Sequence, residues 1–402
     1  MQYGAAVTPA RFWAATALFH LIVIVAAGLV ARAWRDPARC RLPAARWIGT
    51  LARDAGRLAA IVAVASLMST VAVNLSGLRR LALGDISSRL MGQALFAEGV
   101  LVVAALSMSH ARASRPGRAV VFAAAAAGLF GVYVDAYRVE PNRLEVRRHF
   151  VDSRPQEEGA TIRILHLTDI QTPAIGAHEE RALAAGLSYH PQLIVLTGDY
   201  VQDALGRPTE DQAARDLRAL IERIGFQAPL GVFATEGDVG PPCREVFAGT
   251  PVRCLADETA RVTLPGGDTL AITGLSRARG RARNPARLAW LIESGPHADH
   301  RIVISHAPDF VDALPFPVDL VLAGHTHGGQ VVVPFFGPPV TAMRLPRVYA
   351  GGLHDYRGIP LHVSRGVGME RGFSVPVRFL CPPEICVLDL RLSSTPTRRA
   401  GL

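Results

Sequence analysis

The stretch Asp319–Val331 reads DLVLAGHTHGGQV and joins an apolar run to a glycine turn that carries two histidines. The run Asp319–Ala323 has the length and apolar composition of a buried strand. Directly after it, His325 and His327 stand at positions i and i+2 among glycines, so that both imidazoles project from one tight turn toward one site. Imidazole is a common ligand of divalent metal ions. The stretch therefore predicts a strand that delivers a histidine pair to a metal site.

Four other segments place a polar side chain where an apolar run ends: TDIQ (Thr168–Gln171), GDY (Gly198–Tyr200), GDV (Gly237–Val239) and SHAP (Ser305–Pro308). The apolar runs are of strand length and alternate with stretches of helical periodicity, which predicts an α/β domain. Ligands of such domains gather outside the carboxyl ends of the strands. We therefore expect one metal site built by seven side chains: Asp169, Gln171, Asp199, Asp238, His306, His325 and His327.

Carboxylates, an amide oxygen and imidazoles form a donor set that suits two divalent metal ions. Two ions about 3.5–4 Å apart can share a bridging carboxylate and hold a water molecule whose pKa falls toward neutrality. The resulting hydroxide can attack phosphorus in line while both cations neutralise the phosphoryl oxygens. The pattern therefore predicts metal-dependent hydrolysis of a phosphate ester.

Taken in order, these motifs resemble those of the calcineurin-like metallophosphoesterases, and among them the bacterial membrane-associated branch. The resemblance extends from Ile162 to about Leu390 and is closest at DLVLAGHTHGGQV, at LHVSRGVG (Leu361–Gly368) and at PPEI (Pro382–Ile385). It implies an α/β fold, a calcineurin-like double β-sheet sandwich flanked by helices. It also implies two bound divalent ions such as Mn, Fe or Zn.

The same resemblance implies a role for each matching residue. Asp169 and His327 would hold one ion, and Asp199 would bridge the two ions. Asp199 and His306 would then be the catalytic residues. The second ion would be held by three residues: Asp238, His306 and His325.

The chain departs from the family pattern in its first and third motifs. Gln171 stands where the family has a ligating His, and its amide oxygen is a weaker and harder ligand than imidazole. Asp238 replaces the usual Asn and adds a negative charge, so that the altered set favours Mn or Mg over Zn. Val239 replaces a His that assists the leaving group, and such help is worth roughly 10²–10⁴-fold in rate. Candidate replacements for that His, each more often a structural residue, are His354, Arg365 and Glu236.

The N-terminal third has the composition of a membrane domain. A transmembrane helix needs about 20 mostly apolar residues, and four runs approach or reach that length: Phe12–Ala31, Leu58–Leu75, Met91–Met108 and Ala119–Val134. Arg-rich connectors separate these runs, as expected of loops at the lipid headgroups. We predict an all-α, multi-span membrane anchor of about four helices over residues 1–137. A linker over 138–160, a metallophosphoesterase domain over 161–392 and a disordered tail over 393–402 complete the predicted organisation.

The basic excess of the chain belongs to the anchor. Residues 1–150 hold 18 Arg against 7 acidic residues and the remainder 25 Arg against 27, so balances of +11 and −2 sum to the net charge of +9. A nucleic-acid footprint should lie on the domain that carries the site motifs, so we expect no nucleic-acid partner. The Arg-rich connector after the first run favours a cytoplasmic position for that connector. Four spans in the inner membrane would then place the catalytic domain outside the cytoplasm, although the basic segment 138–148 favours the opposite orientation.

The five cysteines include no CxxC pair, which excludes a zinc knuckle and a thioredoxin-type motif. The four cysteines beyond the anchor have two interpretations, two disulfides in an exported domain or inert free thiols. They are Cys243, Cys254, Cys381 and Cys386.

The leading hypothesis is a membrane-anchored, metal-dependent phosphoesterase that hydrolyses a phosphomonoester, a phosphodiester or a pyrophosphate. A lipid-linked substrate fits a site held near the bilayer. The alternative is a degenerate member of the fold that binds metal or phosphate with little turnover and acts as a sensor or scaffold. A transporter is disfavoured because the apolar runs hold few polar residues: His20, Asn74 and Glu98.

Overall fold

The computed structural model describes residues 99–112, 115–153, 160–202, 207–280, 284–371 and 376–393, together with scattered residues between 19 and 64. The chain divides into two compact units. The first unit consists of Met1–Arg138 with Glu370–Pro376, and the second consists of Val139–Met369 with Val377–Leu402. The predicted disordered tail, apart from its first residue, lies outside the described residues.

Two helices, α1 (Gly99–Arg112) and α2 (Pro116–Val134), pack together in the first unit. A π-helical turn and a short 3₁₀ turn continue α2, and the whole stretch Pro116–Asn142 has the length and apolar composition to cross a membrane. It is the one such helix among the described residues and contains the fourth predicted run. The other three predicted runs lie wholly or partly outside the described residues.

The described residues of the second unit form twelve strands. In chain order they are β1 (Glu145–Asp152), β2 (Thr161–Leu167), β3 (Leu193–Leu196), β4 (Val232–Thr235), β5 (Val252–Leu255), β6 (Glu258–Thr263), β7 (Thr269–Gly274), β8 (His300–Ile304), β9 (Leu320–Ala323), β10 (Gly352–Tyr356), β11 (Ile359–Val363) and β12 (Glu384–Arg391). They form two six-stranded mixed sheets, one in the order β1-β12-β2-β3-β4-β5 and the other in the order β10-β11-β9-β8-β7-β6. This arrangement confirms the prediction of an α/β double-sheet domain.

Helices cover the outer faces of the two sheets. Along β2, Ile162 and Ile164 pack toward the other sheet, whereas Leu165 and Leu167 pack toward the helices. Both faces of this strand are therefore apolar, which explains its continuous hydrophobic run. The helices of this unit are α3 (Ala177–Leu187), α4 (Arg207–Arg223), α5 (Cys243–Val246), α6 (Arg277–Gly280) and α7 (Pro285–Glu293).

Five strands end at the same region, as the sequence predicted. Strands β2, β3 and β4 run parallel in the first sheet, and β8 and β9 run parallel in the second. Each of the five is followed, directly or after one residue, by one of the five polar motifs. The core between the sheets holds these ends in place, so that motifs far apart in sequence lie close together in space.

The segment predicted as a linker contains β1, which pairs in parallel with β12 over eight residues. Its two arginines, Arg147 and Arg148, are exposed, and the side chain of Arg148 lies 3.4 Å from the Asp389 carboxylate. Exposed charges are common on edge strands, where they discourage pairing with other chains. Those charges concealed the strand in the sequence.

The cysteines combine both alternatives left open by the sequence. Cys243 and Cys254 form a disulfide between α5 and β5. Cys381 and Cys386 are free and buried.

Candidate metal centre

Three of the predicted ligands form one compact group on the second sheet's side of the site. The Nε2 atom of His306 lies 3.4 Å from Asp238 Oδ1, and His325 Nδ1 lies 3.5 Å from Asp238 Oδ2. The two imidazoles approach to 3.1 Å, between His325 Nδ1 and His306 Nε2. The three ligand atoms lie within 4.8 Å of one another, a spacing from which they can close on one ion.

A second group shares His306 with the first. The Nε2 atom of His306 lies 3.2 Å from Asp199 Oδ2. Asp169, Asp199 and His306 offer ligand atoms within 4.8 Å of one another. His327 extends this group, because its Nε2 atom lies 3.4 Å from Asp169 Oδ1. Six of the seven predicted side chains thus meet in two adjoining groups.

Two backbone carbonyls fix which ring nitrogen each histidine offers. His306 Nδ1 lies 2.8 Å from the Thr197 carbonyl oxygen, and His325 Nε2 lies 3.0 Å from the Ala342 carbonyl oxygen. A carbonyl can only accept, so these nitrogens carry protons and donate. The opposite nitrogens, His306 Nε2 and His325 Nδ1, face the carboxylates. Metal-ligating histidines are usually held in this way.

Each buried carboxylate has one oxygen held by the protein and one turned to a histidine. Asp199 Oδ1 accepts the backbone N–H groups of Asp238 at 2.6 Å and Val239 at 3.0 Å. Asp169 Oδ2 accepts the Thr168 hydroxyl at 2.7 Å and the His325 N–H at 3.0 Å. Asp169 Oδ1 is buried and receives no hydrogen bond. A bound cation is the partner that such an oxygen fits.

Five of the seven predicted residues have left-handed backbone conformations, which cost of order 1–3 kcal/mol each outside glycine. The surrounding main chain holds them there: the N–H of Asp169 donates to Gly198, and the N–H of Gln171 donates to Asp199. Such conformations concentrate at functional sites. The φ angles are 48° at Asp169, 39° at Gln171, 53° at Asp199, 71° at His325 and 49° at His327.

Glycines let the backbone approach the carboxylates closely. A Cβ atom on Gly237 would clash with the amide nitrogen and Oδ1 of Asp199, and one on Gly324 would clash with Thr168 and Asp169. Both glycines directly precede a predicted ligand. Glycine therefore stands at both positions because a side chain would have no room there.

The electrostatics of the cluster favour cations. Burial raises the pKa of Asp169 to about 7. For His306, burial lowers the pKa, but the nearby carboxylates of Asp199, Asp238 and Asp169 raise it by more, so that it stands well above its ordinary value. Burial, followed by the positive charge of Arg378, holds the pKa of His327 well below its ordinary value. The cluster thus retains protons on His306 and Asp169 that a divalent cation would replace, and its donor set fits such ions.

The two residues that depart from the family pattern, Gln171 and Val239, are placed differently from the six grouped side chains. Gln171 is buried, and its side-chain Nε2 donates to Gln202 Oε1 at 3.0 Å. Val239 contributes its backbone N–H to Asp199 and carries no acid near the site. The third motif therefore acts on Asp199 mainly through its main chain.

The three candidate replacements for the missing acid have other partners. His354 Nε2 lies 2.9 Å from the Gly351 carbonyl oxygen, and Glu236 accepts the Cys243 N–H at 3.2 Å. Arg365 forms an ion pair with Glu384 at 2.6 Å. All three side chains have the structural roles that the sequence favoured.

Sequence reasoning missed one organiser of the site, Arg378. This arginine is fully buried and donates to the backbone carbonyls of His327, Cys381 and Arg365 at 3.4, 3.1 and 2.7 Å. It thereby joins the turn of His327 to the loop after β11. A buried arginine carries no sign of its burial in a sequence.

A double-sheet α/β domain with carboxylates and imidazoles gathered at its strand ends defines a metallohydrolase type of protein. Residues 162–329 match the family model described as calcineurin-like phosphoesterase. Residues 162–329 are therefore similar to the calcineurin-like phosphoesterases, and the resemblance noted in the sequence is confirmed over that stretch.

Curated relatives agree with this similarity. The chain is 28% identical over 302 residues to the uncharacterized metallophosphoesterase YkuE of Bacillus subtilis, across 67% of this chain and 95% of the relative. It is 29% identical over 275 residues to phosphodiesterase YaeI of Escherichia coli, across 62% and 90% of the two chains. It is also 29% identical over 157 residues to UDP-2,3-diacylglucosamine pyrophosphatase LpxG of Chlamydia trachomatis, across 37% and 44% of the two chains.

Proposed function

We propose that the protein is a membrane-anchored, dinuclear metal-dependent phosphoesterase. The observation that carries the proposal is the pair of carbonyl-held histidines, His306 and His325, which turn their other ring nitrogens toward the carboxylates. Asp199 and Asp169 each keep one oxygen for a cation in the same way. When bound, two divalent ions supply Lewis-acid chemistry, lowering the pKa of water and neutralising charge on the phosphoryl oxygens.

The chain's own residues position that chemistry. Asp199 lies between the two groups. His306 contacts both Asp199 and Asp238, and Asp199 shares the second group with Asp169. This placement supports Asp199 as the bridging ligand. Gln171 is proposed as a ligand through its amide oxygen, because its amide nitrogen is committed to Gln202. The oxygen-rich set favours Mn or Mg over Zn.

The proposed substrate is a phosphodiester or a pyrophosphate. Val239 can donate no proton to a leaving group, so substrates whose leaving group is already acidic lose the least rate. Two relatives are named for such substrates, a phosphodiesterase and a pyrophosphatase of UDP-2,3-diacylglucosamine. A pyrophosphate or a diester with an activated leaving group has this property.

An apolar loop beside the centre supports a lipid-linked substrate. Ala342, whose carbonyl accepts from His325, lies just beyond a loop with exposed apolar side chains. Phe335 is fully exposed and Phe336 and Val340 are 54% and 71% exposed. Apolar groups exposed together mark surfaces that bind lipids or proteins. This surface would receive an acyl chain while the phosphate lies at the metal centre.

We place the domain outside the cytoplasm, on a multi-pass anchor in the inner membrane. The Cys243–Cys254 disulfide supports this side, because disulfides persist in oxidising compartments and are rare in the cytosol. The apolar helix Pro116–Asn142 supplies one span, and the other predicted spans complete the proposed anchor. A reporter enzyme fused at the C-terminus tests the side, and a reporter active only in the cytoplasm would overturn it.

The function is tested with the full-length protein in detergent, loaded with Mn. A phosphomonoester, a phosphodiester and a UDP-linked lipid pyrophosphate are assayed beside an Asp199→Asn variant. We expect hydrolysis of the diester or pyrophosphate that falls by at least about 10²-fold in the variant. Equal rates in the two proteins on all three substrates would end the enzyme proposal.

A second candidate, a metal-binding sensor with little turnover, is favoured by Gln171 and Val239. The same preparation separates the two functions. A sensor binds Mn in the wild type, loses it in Asp199→Asn, and shows no hydrolysis above the variant's rate.

A further inference from the structure

A second cluster of metal-ligating side chains lies between the two sheets. His149 on β1, His362 on β11 and Cys386 on β12 offer two ring nitrogens and a sulfur within 4.8 Å of one another. The rings of His149 and His362 lie 5.2 Å apart between centroids. Strands β1 and β12 belong to one sheet and β11 to the other, so the cluster spans the inter-sheet core.

His166 determines how His362 can bind. Their Nδ1 atoms lie 2.9 Å apart, and His166 Nε2 lies 2.9 Å from the Thr197 hydroxyl. His362 Nε2 is fully buried and has no hydrogen-bond partner among the residues that the structure describes. A buried polar atom without a partner is destabilising, so it needs an explanation.

Two proton arrangements are consistent with these contacts. If His166 donates to His362, then His362 Nε2 carries a buried proton with no acceptor. If His362 Nδ1 donates to His166, then His362 Nε2 presents a bare lone pair. A metal-ligating histidine donates its other N–H to a fixed partner in this second way. The second arrangement is the one that a metal ion resolves.

We propose that His149, His362 and Cys386 form a separate binding site for zinc or an ion of similar softness. Two imidazoles and a thiolate are a zinc donor set, and zinc accepts three protein ligands with a fourth from water. Zinc–ligand distances of about 2.0–2.3 Å place tetrahedral ligand atoms about 3.3–3.8 Å apart. The three atoms now lie within 4.8 Å of one another and would draw closer on binding the ion.

The protonation states suit this ion. Burial lowers the pKa of His362 to about 3, and burial also lowers the pKa of His149, so both imidazoles are neutral and able to bind. Burial, followed by the charge of Glu384, raises the pKa of Cys386 well above its ordinary value. A coordinated zinc ion removes the proton of such a thiol outright.

A cavity borders the cluster on the side of His149. His149 lines a cavity of about 360 Å³ together with Arg147, Arg365 and Glu384. Water in this cavity can supply the fourth ligand and carry away the thiol proton. Cys386 and His362 lie deeper, both fully buried. Metal at this site would join edge strand β1 to both sheets.

The zinc site and the candidate metal centre share one structural connection. Thr197 bonds His166 through its hydroxyl and His306 through its carbonyl. The zinc site itself uses no ligand of the metal centre, and it does not depend on the proposed hydrolysis. Loss of zinc should therefore lower stability first and alter the centre only through Thr197.

Cobalt titration of the full-length protein in detergent tests the proposal. Cobalt bound to a thiolate gives a near-ultraviolet sulfur-to-cobalt charge-transfer band, and the predicted ligands of the metal centre include no sulfur. All proteins carry Cys40→Ser to remove a thiol outside the described residues. We expect the band in this background, in the matched control Cys381→Ser and in Asp199→Asn, and its loss in Cys386→Ser.

Zinc competition measures the affinity. A His149→Gln variant on the edge strand should weaken zinc binding by at least about tenfold and keep the native circular dichroism, which covers the case in which Cys386→Ser fails to fold. Metal analysis should show one zinc more per chain in the Cys40→Ser background than in Cys386→Ser. Absence of the band at saturating cobalt in the Cys40→Ser protein, or an equal band in Cys386→Ser, would refute the site.

Discussion

Replacement of Gly237 by alanine is expected to damage the metal centre through one methyl group. The Cβ atom would clash with the amide nitrogen and Oδ1 of Asp199 and would lie 2.9 Å from its Cα atom. Most of these neighbours are backbone or are fixed by hydrogen bonds, so none can move aside alone. The turn must withdraw, which separates Asp199 Oδ1 from the N–H groups of Asp238 and Val239.

The magnitude follows from those contacts. Overpacking of a dense region costs about 1–3 kcal/mol, and a hydrogen bond to a charged group contributes about 1.5–3 kcal/mol. The turn relieves the clash by losing at least one such bond, so we expect a loss of about 1.5–3 kcal/mol in the free energy of unfolding. For a domain of this size the midpoint should fall by about 3–12 °C. Asp199 also leaves its ligand position, so bound Mn should fall.

Thermal unfolding and metal analysis of Gly237→Ala check this expectation. Gly266→Ala is the matched control, because a Cβ atom on Gly266 meets nothing within 4 Å. Equal midpoints and equal metal content in the two variants would refute the argument that Gly237 is required for space beside Asp199.

Three other perturbations have defined outcomes. Tyr200→Phe removes a buried hydroxyl that donates to Thr235 at 2.5 Å and accepts the Gly198 N–H at 3.1 Å, so urea denaturation should show a loss of about 1–3 kcal/mol, and an unchanged midpoint would contradict it. Burial raises the pKa of Glu384, but Arg365 lowers it by more, to below the ordinary 4.5. The stability that this pair contributes is therefore complete above pH 4.5 and is lost as pH falls through the lower folded pKa. The free energy of unfolding of Glu384→Gln should depend less on pH in acid than that of the wild type, and equal slopes would contradict this. Removal of Mn by a chelator should lower the midpoint of the wild type, since an ion at 100 times its dissociation constant stabilises by about 2.7 kcal/mol, and should leave Asp199→Asn unchanged.

The sequence predicted an α/β domain and the convergence of its strand ends because both depend on local signals, whereas the double sheet was expected only from the family resemblance. Apolar runs of strand length ended at polar residues, and parallel strands of one domain bring such ends together. The edge strand β1 was missed, since Arg147 and Arg148 made its segment resemble a linker. The pairing of β1 with β12 joins residues about 240 positions apart, and no local signal records it.

The candidate site was likewise predicted only in part from the sequence. The identities of Asp199, His306 and His325 were predicted from the motifs, because glycine turns after strands occur at short spacing in sequence. Their orientation was decided by tertiary contacts, in which the carbonyls of Thr197 and Ala342 select the ring nitrogens. Backbone groups are the same at every residue, so a sequence does not show which carbonyl will face a histidine.

By itself, the sequence predicted the side chains that meet in the candidate metal centre, through apolar runs, glycine turns and the order of five motifs. Only the tertiary structure decided how those side chains are held. It also brought His149 to His362 and Cys386 across two sheets, although each stands alone in its own segment. The physical reason is that strand identity is encoded locally, whereas strand pairing and burial arise when distant segments share one core.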